Sequence, residues 1–293
     1  MQSQLYRNSR ESRIFDAANL VFLTLLAALT LYPLVYTVVV SLSAAYVANP
    51  YFYLWPVGAN LGAYEAVLGT GVFWRAFLNS VFYTACASLL GIALTLMTAY
   101  PLSIASFPLR NFFMFFITFT ILFNGGLIPY YLVVRALGML NTPWAMIVPG
   151  ALSAFNVVVA RTYLQANIPP EIREAARVDG AGDWTILLRI VLPLSAPIIA
   201  VVGLFSAVSH WNSYYWALIF LNRVELYPVS LLLRDIVVGV LAQGQTDPGL
   251  SGVASPNAVR AATLIVAMLP IMAVYPFLQR YFVKGLTIGA IKG

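Results

Sequence analysis

Residues 168–184 read Ile168-Pro-Pro-Glu-Ile-Arg-Glu-Ala-Ala-Arg-Val-Asp-Gly-Ala-Gly-Asp-Trp184, a charged island in a mostly apolar chain. Pro169 and Pro170 suit the first turn of a helix, where a missing N–H is harmless. Glu171 and Glu174 stand near the positive end of its dipole. Arg173 and Arg177 share a face one turn apart. Asp179-Gly180 ends the helix, because glycine tolerates a left-handed cap. Asp183 is placed to N-cap a second helix from Trp184 to about Leu192, which Pro193 stops. Ala175 and Ala176 carry little bulk, so another protein surface could approach the backbone closely. From these residues alone, the helix pair is either a docking element or an amphipathic loop resting on a membrane.

The surroundings of this island are lipid-like. Of 293 residues 61% are hydrophobic and only 9% charged, whereas a soluble domain is about half apolar and about a quarter charged. A water-soluble enzyme, a nucleic-acid-binding domain and a disordered chain are all excluded on this ground. A bilayer core about 30 Å thick takes about 20 apolar residues of helix to cross. Six such stretches occur, at roughly Ile14–Leu42, Phe77–Tyr100, Asn111–Val134, Pro143–Arg161, Pro197–Leu221 and Ala261–Phe282. The first is too long for the apolar region of a signal peptide, and five more follow. The fold class expected is therefore an all-α polytopic membrane protein with six transmembrane helices.

An even number of crossings puts both termini on one side. With both inside, the inner segments hold Arg7, Arg10, Arg13, Arg110, Arg161, Arg173, Arg177, Arg189, Arg280, Lys284 and Lys292; the outer ones hold Arg75, Arg135, Arg223, Arg234 and Arg260. The positive-inside rule then places both termini in the cytoplasm. The expected organisation is a tail at 1–13, a single membrane domain at 14–282 and a tail at 283–293. The inner loop runs from about 162 to 196, and the long outer loops span about 43–76 and 222–260. Within the second outer loop, Tyr227–Gly239 has the pattern of an amphipathic helix at the membrane surface. Cys86 and His210 are the only cysteine and histidine, so neither an internal disulfide nor a Cys/His metal cluster can form.

Polar side chains are costly in lipid and tend to face the bundle interior or a water-filled path. The fifth stretch is richest, with Ser206, Ser209, His210, Asn212, Ser213, Tyr214 and Tyr215 beside Trp211 and Trp216. Asn124, Gly125, Gly126 and Pro129 mark a break in the third. The fourth adds Ser153 and Asn156, and the second adds Asn79, Tyr83 and Thr84. Asn124, Asn156, His210, Trp211, Asn212 and Tyr214 are the candidate translocation-path residues. Such residues also serve as interhelical glue and interface anchors. No Asp or Glu lies deep in any stretch, so a carboxylate proton relay is not evident.

Glu174-Ala175-Ala176, Gly180 and Ile190-Val191-Leu192-Pro193 resemble the EAA motif, E-A-A-x3-G-x9-I-x-L-P, of ABC-importer permeases, in the loop where that family carries it. The order of stretches over nearly the whole chain looks like the smaller permease of a maltose-type carbohydrate importer. Asn124–Pro129, Trp211-Asn212 and the tail Phe282–Gly293 look like its subgroup for oligo- and polysaccharides, within which the alginate importer is one candidate. The resemblance implies a type I ABC-importer permease fold in a bacterial inner membrane. It implies that Glu174, Ala175, Ala176, Asp179, Gly180, Ile190 and Pro193 form a coupling element that docks on an ATPase, and that Gly289 and Lys292 lie in a tail reaching the ATPase dimer. The partners implied are two ATPase subunits, a second homologous permease and an extracytoplasmic solute-binding protein.

The only lysines, Lys284 and Lys292, stand outside any Walker A context, so this chain is not expected to be an enzyme. ATP and Mg would be bound by the partner ATPase subunits, with no cofactor in this chain. Two other readings are a solitary carrier driven by an ion gradient and a non-transport membrane scaffold.

Overall fold

The computed structural model describes residues 10–43, 54–239, 255 and 257–273, and every regular element among them is helical. They fall into two compact units, one within Met1–Thr70 and Gly239–Val266, the other within Gly71–Val238 and Ala267–Gly293.

In the first unit, α1 (Arg10–Ser41) is a 32-residue helix that is apolar on all sides. Most of its side chains are exposed, Phe15, Leu20 and Leu29 among them. A helix that is apolar all round is suited to lipid. Its end is tied down: Ser41 Oγ is 2.7 Å from Tyr64 Oη of α2 (Gly62–Leu68), and Asn60 N–H donates to the Leu42 carbonyl.

The second unit is built on α3 (Gly71–Ser103), a 33-residue helix. α4 (Arg110–Leu122) and α5 (Leu127–Ala136) follow, bent by 114° at the expected Asn124-Gly-Gly break. Next come α6 (Trp144–Ile147), α7 (Ala154–Asn167), α8 (Pro170–Val178) and α9 (Asp183–Leu194), then α10 (Ala196–Trp211), α11 (Tyr214–Phe220) and α12 (Val229–Val238). A last apolar helix, α13 (Asn257–Ala273), belongs to the first unit up to Val266 and to the second from Ala267. α3 packs along α10 and α7, and this three-helix contact carries the core.

Among the described residues, only the α1 stretch Ser12–Ser41 and α3 are long and apolar enough to cross a membrane as single helices; counting the bent pairs α4–α5 and α9–α10 as spans makes four. Three expected spans are thus not single helices, the third bending at its expected break. The fourth stretch unwinds over residues 148–153, at Pro149-Gly150, and α7 runs on past Arg161 to Asn167. The fifth breaks at Asn212-Ser213. Proline lacks the N–H, and glycine gives up more conformational entropy than other residues on entering a helix, so apolar length alone overestimates continuity.

Candidate functional site

The 168–184 island folds much as its punctuation dictates. Pro170 opens α8 behind Pro169, and Gly180 adopts φ +78°. The turn is a Schellman motif: Ala181 N–H donates to the Ala176 carbonyl at 2.9 Å, and Gly180 N–H to the Arg177 carbonyl at 3.0 Å. Asp183 does not cap the next helix, as its position promised; Gly182 occupies the cap. Asp183 instead receives Arg177 Nη2 at 2.9 Å. That hydrogen bond raises the Arg177 pKa above its ordinary value. Both side chains are more than half exposed, so the pair orients the turn and adds little stability.

Nor does Pro193 stop α9. Leu187–Val191 widens into a π turn and the helix carries through Pro193 to Leu194. A proline ring collides with the carbonyl four residues earlier, and widening the preceding turn moves that carbonyl aside. Ser195 then stands at an 82° bend between α9 and α10.

The two alanines face opposite ways. Ala175 is exposed, but Ala176 is buried at 8% exposure, in one core with Tyr100 of α3, Leu164 of α7, Ile186 and Val191 of α9 and Val202 of α10. The expected two-alanine docking face is therefore corrected: half of it is the helix's own root. Ile190 also packs against this core, whereas Glu174, Asp179 and Pro193 are exposed. Two arginines add to the anchorage. Arg161 Nε donates to the Leu102 carbonyl at 3.0 Å and Arg173 Nη1 reaches Ser103 Oγ at 3.5 Å. Both meet the negative end of α3, where a cation is favoured. Outward, α8 and α9 present Glu174, Ala175, Val178 at 87% exposure and Trp184 at 61%. A small apolar surface, rigidly rooted in three long helices, can transmit force. No sequence signal told Ala175 from Ala176 before the partners of α8 were known.

The candidate path residues separate into groups. His210, buried on α10, holds its Nδ1 2.8 Å from the Ser206 carbonyl. Asn156, buried on α7, donates from Nδ2 to Ser206 Oγ at 3.5 Å. Two adjoining cavities of about 200 and 250 Å³ meet at Gly150, Ser209 and His210. Asn156 lines the first and Asn212 the second; Asn212 also donates to the Val208 carbonyl. Trp211 and Tyr214 line neither. The Trp211 indole donates to the Ala267 carbonyl at 3.2 Å and packs edge-on against Phe77. Asn124 lies apart too, its Oδ1 accepting from Gly126 N–H within its own helix break. Gly289 and Lys292 fall outside the described residues.

Asn79 and Tyr83 have a different task from the path role their position promised. Asn79 Nδ2 donates to the carbonyls of Glu225 and Tyr227, Tyr83 Oη donates to that of Leu226, and Ser80 Oγ accepts from Val229 N–H. They clamp the loop leading into α12, which forms as expected. Burial, with Asp235 adding to it, raises the Tyr227 phenol pKa there. Gly150, Phe155 and Phe205 were missed as cavity residues. The Pro149-Gly150 pair was the available signal, since a breaker inside an apolar span marks irregular backbone. Among the described residues no group of His, Cys, Asp and Glu is arranged to hold a metal.

Residues 87–288 match the family described as binding-protein-dependent transport system inner membrane component. The chain is 36% identical over 288 residues to protein LplC of Bacillus subtilis (strain 168), covering 98% of this chain and 97% of that protein. It is 37% identical over 287 residues to the polygalacturonan/rhamnogalacturonan transport system permease protein YtcP of the same organism, covering 97% and 100%. Among solved structures it is similar to a chain from the crystal structure of a bacterial ABC transporter involved in the import of the acidic polysaccharide alginate. That likeness has 34% identity and a TM-score of 0.87, over 94% of this chain and 98% of the other.

Proposed function

This chain belongs to the binding-protein-dependent transport system inner membrane components, has the type I permease fold and is a permease subunit of an ABC importer; from that premise we propose that it forms half of the path for an oligo- or polysaccharide handed over by an extracytoplasmic solute-binding protein. Relatives named for polygalacturonan and alginate support the carbohydrate class. The observation that carries the mechanism is the shared core of α8 and α9 with α3, α7 and α10.

One of two ATPase subunits, which bind the ATP and Mg, would seat against Glu174, Ala175, Val178 and Trp184. Their closure would pull on α8. Because Ala176, Ile186 and Val191 are packed among the long helices, that pull turns the helices as a body instead of bending a loop. The path would open toward the loaded binding protein, and hydrolysis would reset it. A second homologous permease supplies the other half. The excess of arginine and lysine on one set of loops supports cytoplasmic termini for a permease domain running over 14–282. Gly289 and Lys292 would reach the ATPase pair from the C-terminal tail.

The test is a mild-detergent pull-down of the tagged chain from its native membranes, with partners identified by mass spectrometry. Recovery of a Walker-motif ATPase and a second EAA-bearing permease supports the assembly. Recovery of the chain alone, under conditions that keep other membrane complexes whole, overturns it.

A further inference from the structure

We propose that this chain itself binds a hydroxyl group of the transported saccharide, at His210 Nε2, and so contributes a recognition site as well as a wall. The inference deepens the carbohydrate reading above and depends on it.

The Ser206 carbonyl can only accept, so the Nδ1 that lies 2.8 Å from it carries the proton. In the neutral ring Nε2 is then an acceptor. Among the described residues no protein group donates to it. It faces the bare Cα of Gly150, where a Cβ would stand 3.2 Å away. His210 lines both cavities, and an acceptor fixed in direction where they meet is suited to an incoming O–H.

The backbone around it points the same way. Residues 148–153 are unwound beside the imidazole, and the α10–α11 break at 212–213 borders the second cavity. Unpaired backbone at membrane depth survives only where protein or a water-filled cavity receives it. Interrupted helices in transporters gather at substrate sites for this reason. The remaining lining matches a sugar. Ser209 reaches both cavities, Asn156 offers an amide, and the part-exposed rings of Phe155 and Phe205, with centroids 6.1 Å apart, offer apolar faces to C–H surfaces. Among the described residues no Asp, Glu, Lys or Arg lines either cavity. The site therefore reads hydroxyls, and any carboxylate of an acidic sugar is read elsewhere.

The experiment uses the complete importer in proteoliposomes, with its partner permease, ATPases and binding protein. Tritiated trisaccharides of galacturonate, mannuronate and maltose type are supplied in turn. Uptake of none by the wild type overturns the carbohydrate reading and this inference with it. Where one is taken up, His210→Asn keeps a donor for the Ser206 carbonyl but removes the outer acceptor. It should raise the uptake KM about tenfold, the worth of one site hydrogen bond. His210→Gln, whose Oε1 reaches the place of Nε2, should bring KM back to within about threefold of wild type. Ser209→Ala, at an exposed position that does not threaten folding, should also raise KM, and it serves if His210→Asn fails to assemble. Wild-type KM in an assembled His210→Asn importer, or in Ser209→Ala where that variant stands alone, overturns the inference and leaves the carbohydrate reading standing.

Discussion

A Cβ placed on Gly91 would lie 2.5 Å from the carbonyl oxygen of Ala151, so α3 meets the unwound 148–153 segment backbone to backbone. That contact holds the non-helical stretch in place beside His210. Gly91→Ala forces α3 and the segment apart, an overpacking cost of about 1–3 kcal/mol. The expected outcome is a lower melting temperature in detergent and a loss of uptake. Wild-type melting would show that the segment yields freely.

Ala175 and Ala176 should part company under the same substitution. Ala176→Asp places an unpaired charge in the α3–α7–α8–α9–α10 core and should destabilise the chain by more than about 3 kcal/mol. Ala175→Asp stands on the exposed side and should leave melting unchanged while reducing ATPase retention in a pull-down. Equal effects of the two on melting would refute the assigned orientation of α8.

At Gly180 the constraint is conformational alone. Among the described residues beyond its chain neighbours no atom lies within 4 Å of where a Cβ would stand, but φ is +78°. Gly180→Ala should cost about 1–2 kcal/mol through the left-handed backbone, and Gly180→Asn less, since asparagine tolerates that region better. Hydrogen exchange of the Ala181 amide, the donor that closes the turn, reports the difference. Identical protection in the two variants would point away from backbone strain.

Asn79→Leu removes both hydrogen bonds that hold the 225 and 227 carbonyls, at a cost of about 1–3 kcal/mol if those groups stay unpaired. The loop at 224–228 should become more open to limited proteolysis, with Tyr83→Phe giving a smaller effect. Unchanged cleavage in Asn79→Leu would mean that Ser80 and Tyr83 suffice.

Much of the architecture was legible because it is written in local terms. Apolar length announced the membrane class, and the Pro170, Gly180 and Asn124-Gly-Gly signals placed α8, its turn and the α4–α5 bend. Continuity was less legible. Pro149-Gly150 and Asn212-Ser213 interrupt stretches whose average hydropathy hides them, and Pro193 is carried by a π turn that no periodicity reveals.

The sequence by itself determined the helical membrane class, the family motif and the turn between α8 and α9, because these depend on composition and on nearest-neighbour backbone preferences. Tertiary structure alone decided that Ala176 faces inward and Ala175 outward, that Asn79 and Tyr83 clamp a loop about 145 residues away, that Trp211 packs inward on the Ala267 carbonyl, and that His210 opens onto a cavity. Each of these depends on which distant segment fills the space beside a side chain. That is fixed by packing between helices and leaves no trace in the spacing along any one of them.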